Sequence, residues 1–432
     1  METTLQKPIT TKPIITDETY HKVASHEAKK GTFNKVVLLY SGGLDTSILL
    51  KWIQDHYEAD VVAVTIDIGQ NEDFEAIKQK AFNFGAVNAY VVDAKEEFAN
   101  EYLAKAVKAN ANYQGGYHLF CPLGRAIISK IAVEIAEKEG AQVIAHGCTG
   151  KGNDQVRFEG YITTLNPNLK TIAPVREWSM GRDEQLAYAK AHGIPVSQSS
   201  SKIYSYDENL WGDSAEGGEI EVMSEIPNLD NILITCSTPE NAPDEAEVLD
   251  IEFKEGIPVA VDGEKMSAYE IIKKLAAVGA KHGVGVTHLV EDRVVGLKVR
   301  GIFEEPAAEI LIQAHFNLEK LVSTREENEF KTMIDQKWAY LCYEAKWWTP
   351  LMSHLNAYID NVNKKVTGKV TVKLYKGKVY VVALDSPYSM FDENMATFMK
   401  NNLFNQNASA GFIELWNLPQ KTAYNLTKKI YG

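Results

Sequence analysis

Apolar and polar positions change period several times along the chain. Val36-Val37-Leu38-Leu39-Tyr40 is apolar without alternation, the pattern of a strand buried on both faces of a parallel sheet. Val61–Ile66, Ala89–Val92, Val143–Ala145 and the short Thr171–Pro174 read the same way. Helical spacing fills the intervals. Ile48–Ile53 follows the first strand, and Glu72–Phe84 sets Phe74, Ile77, Ala81 and Phe84 on one face. Glu96–Asn110 is next. Gly124–Gly140 turns Ile127, Ile131, Ala132 and Ile135 inward and Glu134, Glu137 and Lys138 outward, and Asp183–His192 closes the series. Such alternation predicts an α/β fold: a doubly wound parallel sheet with right-handed crossovers. Ligands in such sheets sit beyond the carboxyl ends of the strands, so Ser41–Ser47, Asp67–Gln70 and His146–Asp154 are expected at one mouth.

The pattern changes near residue 200. Ser197–Ser201 is a polar joint. Val248–Val261 reads as strands about a Gly256-Ile257-Pro258 turn, Ala268–Val278 as a helix, and Val366–Tyr375 with Val379–Leu384 as a hairpin across Lys376-Gly377-Lys378. The expected organisation is a flexible N-terminal extension over 1–34, a nucleotide-binding domain over 35–200, a second, substrate-binding α+β domain over 201–400, and a C-terminal oligomerisation extension over 401–432.

Composition narrows the class. The chain has 432 residues, 45% hydrophobic and 24% charged, as ordinary globular proteins do. A net charge of −13 argues against a general nucleic-acid binder, which carries a basic footprint. Cys121, Cys148, Cys236 and Cys342 make no C-x-x-C pair, which suits a reducing compartment. No apolar run approaches the roughly 18 residues of a membrane span, and the N-terminus has no apolar signal core. The expectation is a cytoplasmic protein without a membrane partner. The ten histidines form no H-E-x-x-H, so no protein-held metal is expected. Trp347-Trp348 reads as a packing or interface pair.

Candidate chemistry begins where the first strand ends. Gly42 and Gly43 allow an anion to approach the backbone, and a helix start leaves N–H groups unpaired at the positive end of its dipole. Strand, Gly-rich turn and helix start together make a phosphate cradle, to which Ser41, Thr46 and Ser47 add hydroxyls. No Lys-Ser/Thr pair follows the glycines, so this is not a Walker A loop, and the G-x-G-x-x-G spacing is absent. A second Gly-rich loop follows the fourth strand. His146-Gly147-Cys148-Thr149-Gly150-Lys151-Gly152-Asn153-Asp154-Gln155-Val156-Arg157-Phe158-Glu159 offers donors for a carboxylate and acidic groups for an ammonium, the needs of a zwitterionic ligand.

Ser41–Ser47 resembles the pyrophosphate loop of the ATP-pyrophosphatases. With Asp67-Ile68-Gly69-Gln70, the run Gly147–Glu159, Tyr206–Gly212, Lys281–Gly285, Val290–Arg293 and Arg300–Ile302, the chain from about Lys35 onward is similar to the argininosuccinate synthase family. The resemblance implies an enzyme that joins citrulline to aspartate through a citrullyl-AMP intermediate, releasing AMP and pyrophosphate. ATP is then a substrate, with Mg2+ held through its phosphates, and the assembly is a homotetramer. It further implies that Leu39, Tyr40, Ser41, Gly42, Gly43, Leu44, Asp45, Thr46 and Ser47 hold ATP together with Ile66 and Gly147. Thr149, Asn153 and Asp154 would hold aspartate. Tyr117, Asn153, Arg157, Ser205, Ser214, Glu291 and Phe303 would hold citrulline. Ser41, Asp45, Thr46, Ser47 and Asp154 stand nearest the implied chemistry. The chain departs from the family pattern at Phe303, where Tyr is usual, at Pro122, where a small residue is usual, and at Ile66, where Ala is usual. The first two bear on the acceptor, and a paralogue using another ureido or amide acceptor, or a silent nucleotide sensor, is the alternative.

Overall fold

The computed structural model describes residues 28–177, 180, 182–195, 203–397 and 403–431. Residues 1–27 of the N-terminal extension and the joint at Ser197–Ser201 lie outside them. Strands β1 (Lys35–Leu39), β2 (Asp60–Asp67), β3 (Asn88–Asp93), β4 (Val143–Ala145) and β5 (Lys170–Ile172) form one parallel sheet in the order β3-β2-β1-β4-β5. The apolar runs are continuous because both faces are covered. Val36, Leu38, Val61, Ala63 and Val143 pack with Ile48, Leu49 and Ile53 of the Leu44–Tyr57 helix and with Ile77 and Ala81 of the Phe74–Asn83 helix. Val37, Val62, Val64 and Ile144 face the other way, onto Phe98, Leu103, Ile127 and Ile131. Each fully buried side chain of this size contributes about 1.5–3 kcal/mol.

Several predicted boundaries move for local reasons. The fifth strand ends at Ile172, and Pro174 opens a short helix, Pro174–Glu177. The helix expected from Gly124 begins at Phe120, after Leu119 at φ 68°; Pro122 lies in its first turn, where a missing N–H costs nothing. The helical stretch 95–108 widens to a π-turn over Phe98–Leu103. Phe33 of the predicted extension is buried against Tyr57, with ring centroids 5.2 Å apart.

Two antiparallel sheets follow. One takes β6 (Tyr204–Asn209), β7 (Gly212–Gly217), β11 (Val286–Asp292) and β12 (Lys298–Glu304) in the order β11-β12-β7-β6; the other takes β8 (Glu247–Lys254), β9 (Ile257–Val261), β10 (Glu264–Lys265), β13 (Gly368–Tyr375) and β14 (Lys378–Asp385) in the order β10-β9-β8-β13-β14. The turn predicted at Gly256-Ile257-Pro258 lies one residue earlier, at Glu255 and Gly256, both at positive φ, and Ile257 already belongs to β9. The predicted helix runs over Ala268–Lys281, and the β13–β14 hairpin forms as expected. Neither the four-stranded sheet nor the helices Pro306–Val322, Arg325–Tyr343 and Pro350–Asn363 were expected.

The four-stranded sheet has two unlike faces. In register, Ser214 of β7 lies opposite Asp207 and Phe303, whereas its neighbour Asp213 lies opposite Glu208 and Glu304. Glu304 accepts from the amides of Ile234 (2.8 Å), Thr235 (3.0 Å) and Cys236 (2.5 Å). Asp213 accepts from the Thr235 hydroxyl at 2.6 Å. Burial, and then the neighbouring Glu304, push the Asp213 carboxyl up to about 9.

One apolar cluster joins the halves, taking in Val37, Ile127 and Ile144 together with Ile271, Leu311 and Trp338. A polar knot lies in the same interior. The Lys331 ammonium meets Asp335 at 2.6 Å, Glu319 at 3.1 Å and the Lys108 carbonyl at 2.9 Å, with 1% of Lys331 exposed. Trp347 stacks on Tyr102 and Trp348 meets Tyr161 edge-on, so this pair packs within the chain. The helices Ala408–Trp416 and Leu418–Tyr431 expose Phe412, Ile413, Leu415, Trp416, Leu426 and Ile430.

Candidate active site

β1 lies between β2 and β4, so the strand order reverses at the β1/β4 crevice, the place where open α/β sheets bind ligands. Both Gly-rich loops open there. Gly42 has φ 74° and packs so closely on Ile77 that a Cβ would lie 2.6 Å from its Cγ1. Gly43 caps the Leu44–Tyr57 helix without any side-chain bond, which leaves the helix N-terminus to a ligand. Hydroxyls hold the loop in shape. Ser47 donates to the Gly43 carbonyl at 2.7 Å and pairs with the Tyr40 hydroxyl at 3.0 Å, while Ser41 and Thr46 lie 3.2 Å apart. Thr65 ties the Tyr40 carbonyl at 2.6 Å, and Lys80 donates to the Gly42 carbonyl at 2.5 Å. Ser47 and Tyr40 are buried and Ser41 and Thr46 are more open, so the first pair shapes the cradle and the second faces its mouth. Leu39 is the last residue of β1 and Ile66 the last but one of β2. Gly147 abuts the cradle: a Cβ there would meet Leu49 at 2.9 Å and Thr46 at 3.9 Å.

The Asp154–Leu165 helix starts after Asn153 and carries the second group. Asp154 accepts from Arg157 Nη1 at 2.9 Å and from Arg125 Nε at 3.0 Å. Burial raises the Asp154 carboxyl, but the two guanidiniums outweigh it and hold the group far below the usual carboxylate range. Arg125 also pairs with Asp207 on β6. Cys121, Asp154 and Asp207 bring ligand atoms within 4.8 Å of one another; the Arg125 cation already joins both carboxylates. Cys121 and Cys148 are pushed up by burial and are poor nucleophiles near neutral pH. Thr149 is exposed at the loop tip.

Most of the residues expected to hold the acceptor gather about the four-stranded sheet. Tyr117 stacks on Phe303 with centroids 4.5 Å apart, and its hydroxyl accepts from the Cys121 amide at 3.3 Å. Ser214 lies opposite Phe303 in register. Glu291 on β11 accepts from the Tyr343 hydroxyl at 3.1 Å, and burial raises its carboxyl. Ser205 stands further out, on the exposed start of β6 opposite Glu216. Arg293 links this edge to the second loop, reaching Glu216 at 2.6 Å and the Lys151 carbonyl at 3.3 Å.

Arg125, Asp207, Arg293 and Tyr343 thus join the site without having been singled out in sequence. The available signal for Arg125 was a charged residue within the apolar first half of its helix, FCPLGRAII. Asp207 and Arg293 lay inside quoted motifs. Tyr343, in an aromatic-rich stretch, had none.

A parallel sheet with a helix-start cradle at its switch point defines a nucleotide-binding α/β protein. Residues 35–195 match the arginosuccinate synthase N-terminal HUP domain, and residues 204–423 match the arginosuccinate synthase C-terminal domain. An argininosuccinate synthase of Pyrococcus furiosus is 49% identical over 398 residues, 92% of this chain and 96% of the relative. One from Oceanobacillus iheyensis is 49% identical over 90% of this chain and 93% of its own length, and one from Streptococcus suis 47% identical over 92% and 100%. The chain belongs to the argininosuccinate synthase family.

Proposed function

We propose that the protein joins L-citrulline to L-aspartate at the expense of ATP, forming argininosuccinate, AMP and pyrophosphate, as a ligase of arginine biosynthesis. The observation that carries this reading is the convergence of the helix-start cradle and the Asp154–Arg157 group on one crevice, within a chain matched to the family over both halves.

ATP, with Mg2+ on its phosphates as part of the substrate, lies along Leu39–Ser47, with Ile66 and Gly147 beside the nucleoside. The citrulline ureido oxygen attacks the α-phosphorus; the α–β bridging bond breaks, and pyrophosphate leaves into the cradle of Ser41, Thr46 and the helix N-terminus. Asp45 sits in the first turn, and Ser47 shapes the loop. The aspartate amine, as free base, then attacks the citrullyl carbon, its proton is lost, and AMP departs with the former ureido oxygen. No enzyme nucleophile is needed. Alignment and stabilisation of the departing charge supply the catalysis.

Thr149, Asn153 and Asp154 serve aspartate. Tyr117, Asn153, Arg157, Ser205, Ser214, Glu291 and Phe303 serve citrulline. Phe303 stacks on Tyr117 and contributes apolar contact; a hydroxyl missing there costs about 0.5–1.5 kcal/mol. The apolar residues exposed on 403–431 support assembly into a homotetramer through 401–432. Among the described residues no helix is long and apolar enough to cross a membrane, and four cysteines without a disulfide suit the cytoplasm.

The test is pyrophosphate release by purified protein with Mg-ATP and aspartate, with and without citrulline, and the product identified by mass. Release that needs both amino acids and yields argininosuccinate supports the reading. ATP binding without citrulline-dependent release overturns it. Loss of the tetramer on deleting 401–432, read by light scattering, is expected; an unchanged mass would remove the tail from the assembly.

A further inference from the structure

Tyr343 is the last residue of the Arg325–Tyr343 helix, far in sequence from either Gly-rich loop, and its hydroxyl stands between two groups of the acceptor side. It accepts from Asn153 Nδ2 at 2.7 Å and donates to Glu291 Oε2 at 3.1 Å. The donor order is fixed by chemistry. Asn153 uses its carbonyl oxygen to accept from the Val294 amide at 2.9 Å, so its NH2 must face Tyr343. A carboxylate can only accept, so the phenol proton points to Glu291. One N–H of Asn153 remains for a substrate.

The rest of the side chain is held as tightly. Its ring stacks on Tyr113 with centroids 3.7 Å apart and planes 7° from parallel, and it meets Tyr117 edge-on at 6.4 Å. The Arg157 guanidinium lies 4.9 Å from the ring centroid, within cation–π range, while Arg157 Nε donates to the Tyr343 carbonyl at 3.3 Å. Tyr343 therefore touches Tyr117, Asn153, Arg157 and Glu291, which arrive from three separate segments of the chain.

We infer that Tyr343 is a positioning residue for the acceptor: its hydroxyl orients the Asn153 amide and the Glu291 carboxylate, and its ring seats the Arg157 guanidinium. The inference rests on the reading that citrulline binds at these residues. It also links the two amino-acid subsites, because Asn153 belongs to both.

The groups facing Glu291 are Arg157, Arg293, Tyr343 and Glu216. Burial raises Glu291, and the two guanidiniums and the Tyr343 donor oppose that rise. Removing the phenol proton removes one of the opposing contributions.

The test compares Tyr343→Phe, which keeps the ring, with Tyr343→Leu, which removes the stack and the cation–π contact as well. Wild type is measured alongside, so failure of the citrulline assignment appears as wild type without citrulline-dependent turnover. For Tyr343→Phe the expected result is a citrulline KM about tenfold higher, a smaller rise for aspartate through Asn153, and an ATP KM within twofold of wild type. The acidic limb of the kcat/KM profile for citrulline moves to higher pH, and Tm stays within about 2 °C. Tyr343→Leu raises the citrulline KM further. Equal changes in all three KM values, or an unmoved pH limb with a lower Tm, would make Tyr343 merely structural and overturn the inference. An unchanged citrulline KM in Tyr343→Phe would do the same.

Discussion

Arg125 reaches Asp154 with two nitrogens, Nε at 3.0 Å and Nη2 at 2.9 Å, both on the same carboxylate oxygen. The other oxygen accepts from Arg157 at 2.9 Å. Asp154 is therefore an anion fixed between two cations, which keep it from taking up a proton.

Asp154→Asn removes that charge, leaving Arg157 without its ion pair and Arg125 with Asp207 alone. Hydrogen bonds to charged groups contribute about 1.5–3 kcal/mol, so the aspartate KM should rise roughly ten- to a hundredfold, while nucleotide binding stays near wild type. Steady-state kinetics in each substrate checks this; unchanged aspartate kinetics would sink the role proposed for Asp154.

Gly42 and Gly43 make different demands. Gly42 lies at φ 74° with Ile77 in the way of any Cβ, whereas a Cβ on Gly43 meets only the Ser41 hydroxyl at 3.4 Å. Left-handed backbone costs an L-residue about 1–2 kcal/mol. Gly42→Ala should weaken equilibrium binding of ATP well beyond Gly43→Ala. Equal losses in the two variants would mean that the turn is not what shapes the cradle.

Asp213 gives a pH-dependent prediction. Its ordinary value is 3.8 and in the folded chain it is pushed up to about 9. Across that window the unfolded chain has released the proton and the folded chain keeps it, so this group lowers stability as pH rises. Asp213→Asn removes the titration and can donate an amide hydrogen to Glu304. The variant should gain Tm relative to wild type, and the gain should be larger at pH 8 than at pH 5. A gain independent of pH would contradict the pairing.

The polar knot predicts a loss. Lys331→Met leaves Asp335 and Glu319 buried without their cation, and breaking a buried pair in this way costs about 3–5 kcal/mol. Asp335, which burial already pushes up to about 7, should then hold its proton at neutral pH. Urea unfolding at pH 7 should show the loss, and a variant within 1 kcal/mol of wild type on that measure, roughly an ordinary surface change, would refute it.

The parallel sheet was legible because both faces of β1, β2 and β4 are buried and their apolar runs say so. Gly42 and Gly147 were legible for a related reason: each lies where a Cβ would collide with a neighbouring side chain. The four-stranded sheet was not. Tyr204–Asn209 and Gly212–Gly217 carry Asp207, Glu208, Asp213 and Glu216 where apolar alternation would mark a strand, because one face serves the site and the other buries carboxylates against backbone amides. The three helices over 306–363 did leave marks: Pro306 in a first turn, the Thr324/Glu327 capping box, and Thr349 before Pro350. Those marks place helices but say nothing of Tyr343, whose partners come from residues 117, 153, 157 and 291.

The shared apolar cluster also sets an order in time. Ile144 leaves the ribosome long before Leu311 and Trp338, which complete the same cluster. At about 5–20 residues per second, the helices over 95–139 that cover this face wait roughly ten to forty seconds for the Leu311 and Trp338 side of their cluster. A nascent chain paused between these segments presents a half-finished apolar surface, the kind of surface that favours aggregation.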